Sequence, residues 1–314
     1  MGIKLKLDFD IPAFEFKIEH ADSISLMGSC FSDEIGNHFG ENGFKTTSNP
    51  FGTIFHPVPL AQNILDSING KTNEHIYQRK DLFFSWDAAE NVFDFSSEGI
   101  LNKIQTLRSQ VVAELKSASV LFITFGTAFE YQLLENQKVV ANCHKAPGNQ
   151  FSKALTPLNQ LFETWETTLN ALKKVNPELQ IVFTISPVRH VKDGLIENNR
   201  SKARLFELVS ALELIPNCHY FPSYEIILDE LRDYRFYKTD GVHPNEQAVE
   251  YVWNCLTECV MEEATRKICQ QVLNFRRAAN HRTLHENSAD SIDFKEKNKE
   301  KLQHFLRENP NVCW

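Results

Sequence analysis

The most restrictive feature of this chain is an alternation of short apolar runs, each too brief for a buried helix, with stretches of helical periodicity. The runs are 24–27 (ISLM), 119–125 (SVLFITF), 180–185 (QIVFTI) and 219–221 (HYF), with a weaker fifth at 44–47. β-Branched and aromatic residues recur in them, which suits a pleated, half-buried surface. Between the runs, helices are predicted at 31–42, 57–69, 98–117, 155–175, 199–213 and 244–275, the last long enough to break in two. This rhythm belongs to a parallel sheet covered on both faces, so a three-layer α/β/α sandwich with a mainly parallel, flavodoxin-like sheet is expected. Two segments stand outside the rhythm. Residues 75–96 read as an extended pair around Asp87–Asn91, and 130–141 as a hairpin turning at Glu135–Lys138. Both are expected as β-hairpin insertions on the core.

With 314 residues, no internal repeat and no low-complexity linker, one α/β domain over 1–275 is expected, followed by a charged helical extension over 276–314. The 24 Phe residues need a core, which excludes disorder over the whole chain. Lys and Arg number 33 against 41 Asp and Glu, a formal net charge of −8, with no basic cluster, so nucleic acid is not an expected partner. No window approaches a membrane span, and MGIKLKLDFDIP has neither the apolar core of a signal peptide nor the Ser/Thr of a myristoylation signal. The seven cysteines are odd in number and irregularly spaced, unlike a disulfide framework. A reduced cytoplasmic protein without a membrane partner is expected, its oligomeric state open. Cys143-His144, Cys255/Cys259 and His281/His285 have ligand chemistry, but there is no C-x-x-C pair and no HExxH, so no metal and no cofactor is expected. Phosphate-binding glycine loops are missing too.

Chemistry gathers where strands end. The first run closes in Met27-Gly28-Ser29-Cys30-Phe31-Ser32-Asp33 and passes straight into a helix. A strand, a tight turn and a helix can expose a nucleophile at the carboxyl edge of an α/β sheet. The helix N-terminus beside it favours a thiolate and a developing oxyanion. The bland alternative is that Ser29 or Ser32 caps the helix and Cys30 packs as a small apolar group. Far along the chain, Asp240-Gly241-Val242-His243-Pro244 opens another helix, and an Asp three residues before a His can orient the imidazole. Gly126 follows the 119–125 run and can supply an N–H or simply turn the chain. Ser186-Pro187-Val188-Arg189-His190 follows the 180–185 run, with His190 as a rival base.

Together these segments resemble the GSCFA family, a branch of the SGNH (GDSL-like) hydrolases. The likeness is carried by Gly28-Ser29-Cys30-Phe31-Ser32, FGTAFEY at 125–131, NCHKAP at 142–147, SPVRHVKDG with NNRSKA to 203, and YFPSYEIILDELRDYRFYKTDGVHP at 220–244. It covers about 20–260. The resemblance implies an SGNH-type fold and an acyl-ester hydrolase or acyltransferase working through a covalent acyl-enzyme. It implies Cys30 as nucleophile, with Ser29 as the alternative if the turn is offset, and His243 and Asp240 as its partners. It also implies an oxyanion hole built from the Cys30 N–H and Gly52, with Gly126 and Asn142 as further candidates. Two positions depart from the pattern: Ser32 stands where the name-giving motif has Ala, and Ala128 where the wider group has an oxyanion-binding Asn. A lost donor of that kind costs about 2.7–4 kcal/mol of transition-state stabilisation. Arg189, Arg200 and Arg235 are expected at the mouth, with His190 among the substrate-binding candidates and a small acyl ester or acylated glycan as substrate. The competing expectation is a non-catalytic binding protein that keeps the fold.

Overall fold

The structure, a computed structural model, describes Leu7 and residues 9–280 and 289–314. Its central sheet is built from the five expected runs. β1 (Ser23–Gly28) leads through α1 (Cys30–Glu41) to β2 (Lys45–Ser48), and α2 (Pro57–Ile68) follows. A small antiparallel sheet comes next: β3 (Ile76–Arg79), β4 (Leu82–Ser85) and β5 (Phe93–Asp94). α3 (Ser97–Ser117) returns the chain to the core strand β6 (Val120–Phe125). The hairpin β7 (Phe129–Leu133) and β8 (Phe151–Leu155) precedes α4 (Leu158–Val175). Then β9 (Gln180–Ile185), α5 (Leu195–Leu212) and β10 (Cys218–Tyr220) complete the sheet. The short α6 (Ser223–Glu225) runs into a π-helical turn, and α7 (Glu246–Val260), α8 (Glu263–Asn280) and α9 (Ala289–Glu308) close the chain.

The core strands are all parallel, in the order β10-β9-β6-β1-β2. Alternation along each strand divides the core between the two faces. Met27, Leu121, Ile123, Phe125, Phe183 and Ile185 pack under α2, α3, α4 and α5. On the other face Ile24, Leu26, Val120, Phe122 and Val182 pack under α1 and α7. This is the three-layer α/β/α sandwich. In chain order the core strands run 2-1-3-4-5, the flavodoxin-like arrangement, with its switch point between β1 and β6. In such sheets the crevice for a ligand opens outside the carboxyl ends of the strands at that switch point. β1 ends there at Gly28 and β6 at Phe125.

Local physics moved several boundaries. α4 starts at Leu158 rather than 155, because Phe151–Leu155 is drawn into a ladder with β7 and Pro157 sets the entry to the helix. α5 starts four residues early, at Leu195, where the exposed Leu195 and Ile196 gave no apolar period. The 75–96 insertion turns at Lys80–Asp81, with Lys80 at φ 56°, and Asp87–Asn91 instead connects β4 to β5. The 130–141 turn does form, with a single bridge between Gln132 and Val139, but the ladder partner of β7 is the more distant β8. The long C-terminal pattern breaks at Met261–Glu262. Residues 275 and 276 are consecutive positions within α8, and the following segment folds back on it through Val272, Phe305 and Val312. His281 and His285 lie outside the described residues.

Candidate active site

The turn after β1 is held by contacts that leave its shape little freedom. Gly28 has φ 133°, and a Cβ there would collide with the Thr124 carbonyl of β6. Its N–H donates to Asn49 Oδ1 at 2.8 Å, and Ser29 N–H donates to the Thr124 carbonyl at 3.0 Å. Ser29 is the N-cap of α1: fully buried, its Oγ accepts the Phe31 N–H at 3.3 Å. Ser32 Oγ donates to Thr124 Oγ1 at 2.9 Å. Cys30 therefore opens the helix, half-buried, with an N–H that no helical carbonyl can receive.

The thiolate expected from the helix N-terminus is not what this environment favours. Burial pushes the Cys30 thiol up, and the carboxylates of Asp33 and Glu34 push it further. Its own backbone N–H and Lys238 act in the opposite direction and are outweighed. The resting group is the protonated thiol, so any attack by this sulfur would need a base to take its proton.

That base can come from the loop before α7. Asp240 Oδ1 accepts the N–H groups of Val242 and His243 at 2.8 and 3.0 Å, and its Oδ2 meets His243 Nδ1 at 2.7 Å. These contacts, the His243 N–H first, hold the Asp240 carboxyl down to about 2. A carboxylate on Nδ1 fixes the tautomer that leaves Nε2 as acceptor. The loop is strapped to α1: Lys238 N–H donates to the His243 carbonyl at 2.7 Å, while Lys238 Nζ reaches Glu34 Oε1 at 3.5 Å. Glu34 is four residues after Cys30, on the same face of the helix. The strap therefore ties the His243 loop to the helix that Cys30 opens.

The oxyanion candidates fare differently. Gly52, at φ 72°, closes a tight turn in which its N–H donates to the Asn49 carbonyl at 2.8 Å. A Cβ there would strike Asn91, so the glycine is required by packing. Gly126 N–H donates to the Phe55 carbonyl at 2.8 Å, as Thr127 N–H does at 3.1 Å. Ala128 N–H goes to Ser201 Oγ at 2.7 Å. Asn142 is spent in a local turn, its Oδ1 accepting the His144 N–H at 2.8 Å within the insertion. Asn49 holds the Cys30 turn from beside it, with Nδ2 3.4 Å from the Ser29 carbonyl.

His190 sits on the same edge, with Phe55 against its ring at 5.4 Å and its backbone N–H donating to Asn198 Oδ1 at 2.9 Å. Burial first, then Lys202, hold its imidazole down to about 4, and its Nε2 is buried without a hydrogen-bond partner among the described residues. It is neutral at neutral pH and a poor proton acceptor. Arg235 is largely exposed and pairs with Asp233 at 3.2 Å. Arg189 faces a cavity of about 390 Å³ that Asn199, Tyr224, Arg232, Tyr234 and Tyr237 also line. Among the described residues no group of three or more His, Cys, Asp or Glu side chains could hold a metal ion. No helix among them is long and apolar enough to cross a membrane.

Sequence reasoning missed Lys202. It is fully buried on α5 with its Nζ donating to the Gly126 carbonyl at 2.7 Å and the Ser186 carbonyl at 2.6 Å, the loops just past β6 and β9. A lysine in a helical stretch reads as solvent-facing, and only its place within NNRSKA, among the segments carrying the family resemblance, marked it.

Three solved structures show a coarse likeness. A carbohydrate esterase family 3 protein from Talaromyces cellulolyticus is 7% identical, with 81% of this chain and 99% of that one covered at a TM-score of 0.37. A family 3 carbohydrate esterase from Clostridium thermocellum is 12% identical, with 80% and 98% covered at 0.34. An acetyl xylan esterase from the rumen bacterium Butyrivibrio proteoclasticus is 8% identical, with 80% and 64% covered at 0.36. None of the curated proteins matches. The family model for GSCFA matches residues 23–256, from the first residue of β1 to within α7, and so spans the Cys30 turn, the strand-end loops and the His243 loop. The chain belongs to the GSCFA family.

Proposed function

We propose that this protein cleaves or transfers an acyl group from an oxygen ester through a Cys30 thioester. The observation that carries this reading is the Asp240–His243 pair, bonded at 2.7 Å and strapped through Lys238 to the helix that Cys30 opens. In the first step His243 Nε2 takes the Cys30 proton as sulfur bonds to the ester carbonyl carbon. The tetrahedral intermediate then collapses, the C–O bond breaks, and His243 returns the proton to the leaving alkoxide. Water, or an acceptor hydroxyl, next attacks the thioester with His243 again as base, releasing acid or new ester and restoring the thiol. Asp240 orients the ring and stabilises its protonated form. Ser29 is a poorer nucleophile here, since its hydroxyl is buried in the helix cap.

Three tyrosines and two arginines around the cavity beside the His243 loop suit a small polar acyl ester or an acylated glycan, whose ring stacks on aromatic faces while its oxygens meet guanidinium donors. The second reading, a binding protein that keeps the fold, draws support from the internal commitment of the Gly52 and Gly126 N–H groups.

Intact-mass measurement after incubation with p-nitrophenyl acetate and butyrate separates the two. An acyl adduct mapped to Cys30, and lost in His243→Ala, is expected for the enzyme. Absence of both turnover and adduct on the wild-type chain would leave the binding reading standing, and turnover that persists unchanged in Cys30→Ala would remove Cys30 as the nucleophile.

A further inference from the structure

The cavity beside the His243 loop differs in charge from the acidic chain around it. Arg189 and Arg232 both line this space of about 390 Å³, and no carboxylate lies within ion-pair distance of either among the described residues. In a chain of formal net charge −8, two guanidinium groups left without a carboxylate are open to an external anion. Two carboxylates also line the walls. Asp233 is already taken by Arg235, through Nη2 at 3.2 Å and the Arg235 backbone N–H at 2.8 Å. Asp229 makes no ion pair among the described residues and can accept hydroxyl groups.

Both arginines extend from backbone that the fold has fixed. Arg189 is half-buried between Val188, whose N–H donates to Ser186 Oγ at 3.3 Å, and His190, whose N–H donates to Asn198 Oδ1 at 2.9 Å. Arg232 follows the π-helical turn Ile226–Leu231 in the left-handed region, at φ 38°, where an arginine is uncommon. Its N–H donates to the Ile227 carbonyl at 3.2 Å. Backbone strain of this kind collects at ligand sites. The cavity also adjoins the proposed reaction centre. Tyr237 lines it, bridges to Pro244, and is followed by Lys238, whose N–H donates to the His243 carbonyl at 2.7 Å. Around Cys30 the sign reverses, since Asp33 and Glu34 stand three and four residues on from it along α1.

We infer that Arg189 and Arg232 form an anion subsite for a carboxylate on the alcohol side of the ester, so that the preferred substrate is an O-acylated acidic sugar. A carboxylate meets a guanidinium fork in two parallel hydrogen bonds, and Tyr224, Tyr234 and Tyr237 supply aromatic surface for the sugar ring. Asp229 accepts a sugar hydroxyl, and its charge disfavours the double charge of a phosphate more than the single charge of a carboxylate. A charge on the acyl side would instead meet Asp33 and Glu34. The inference rests on the ester-cleaving reading of Cys30 and His243 and deepens it by naming the substrate class.

Ligand-detected NMR titration of the full chain with methyl glucuronide and methyl glucoside compares a carboxylate with a neutral hydroxymethyl group and needs no turnover. The wild type is expected to bind the glucuronide about tenfold more tightly, and Arg189→Gln and Arg232→Gln each to remove most of that preference. Arg189→Lys, which keeps the charge and loses the fork, should retain part of it. Thermal melts confirm that each variant is folded. On the matched mono-O-acetyl sugars the same preference is expected in kcat/KM, expressed through KM. No binding of the glucuronide, equal affinity for the two sugars, or a preference that survives in both Gln variants overturns the inference, even where both acetyl esters are cleaved. Should the arginine-dependent preference hold in binding while neither acetyl ester is cleaved and no Cys30 adduct forms, the esterase reading fails by itself.

Discussion

The two sides of the site are maintained by opposite means. Cys30, Lys202 and the Gly126 loop are held from within, by buried contacts to Thr124, Phe55, Ser186 and Ser201. His243 and Asp240 stand on an exposed loop, held by a local Asx-type turn and one surface ion pair. On the buried side the Gly126, Thr127 and Ala128 N–H groups are already engaged and dielectric screening is weak, so charges are costly and shifts are large. On the exposed side the imidazole keeps solvent contact and a bonded carboxylate, which suits the proton transfer proposed for it. The difference separates two demands on such a site: a scaffold that does not move and a proton carrier that can.

The largest expected effect tests whether that division holds. Cys30→Ala and His243→Ala should each lower ester turnover by at least about a hundredfold, while the melting temperature of His243→Ala stays within a degree or two of wild type, roughly what loss of an exposed side chain costs. A strong loss of stability in His243→Ala would break the comparison.

Acid should pull the two sides apart. The buried His56, which caps α2 and donates from Nε2 toward Thr156 Oγ1 at 2.9 Å, is held down to about 3 by burial. An imidazole depressed from about 6.5 contributes stability that is full above that pH and is lost as pH falls toward its folded value. Thermal melts of the wild type from pH 6.5 to 4 should show a stability slope steeper than that of His56→Gln by about 1.4 kcal/mol per pH unit. The depressed Asp240 carboxylate keeps its full contribution above its ordinary value of 3.8 and loses it only as pH falls on toward about 2, so the His243–Asp240 contact persists across the same window.

Ser201→Ala probes the buried side with a smaller change. It strips the Ala128 N–H and the Thr127 hydroxyl of their partner, and denaturant titration should record a loss of about 1–3 kcal/mol. Lys238→Ala cuts the strap on the exposed side. It should alter stability by less than about 0.5 kcal/mol, with any effect on ester turnover diminishing as salt is raised.

What the sequence disclosed follows the same division. The core strands were legible because runs such as SVLFITF have no other comfortable conformation, and the parallel order follows from the helices between them. The Cys30 turn and the Asp240–His243 spacing were legible because each is local. The β7–β8 ladder was not, since FSKAL lacks a strand's apolar bias and gains its partner from a residue run far upstream. Nor was the engagement of Gly52 and Gly126, whose N–H groups are consumed by turns and by Phe55 rather than by anything in their own motifs. Lys202 was hidden for the reason it is interesting: only tertiary packing, not periodicity, makes a helical lysine a buried one.

The dependence of the Cys30 turn on Thr124 has a kinetic consequence. Ser32 and Thr124 are 92 residues apart in sequence, and the small antiparallel sheet and three helices must be accommodated between them. Contacts of such separation close a large loop before any pairing rewards it, and slow the folding of parallel sheets. The turn that orients Cys30 is therefore completed only when β6 docks beside β1, so a partly folded chain carries this cysteine as an ordinary thiol.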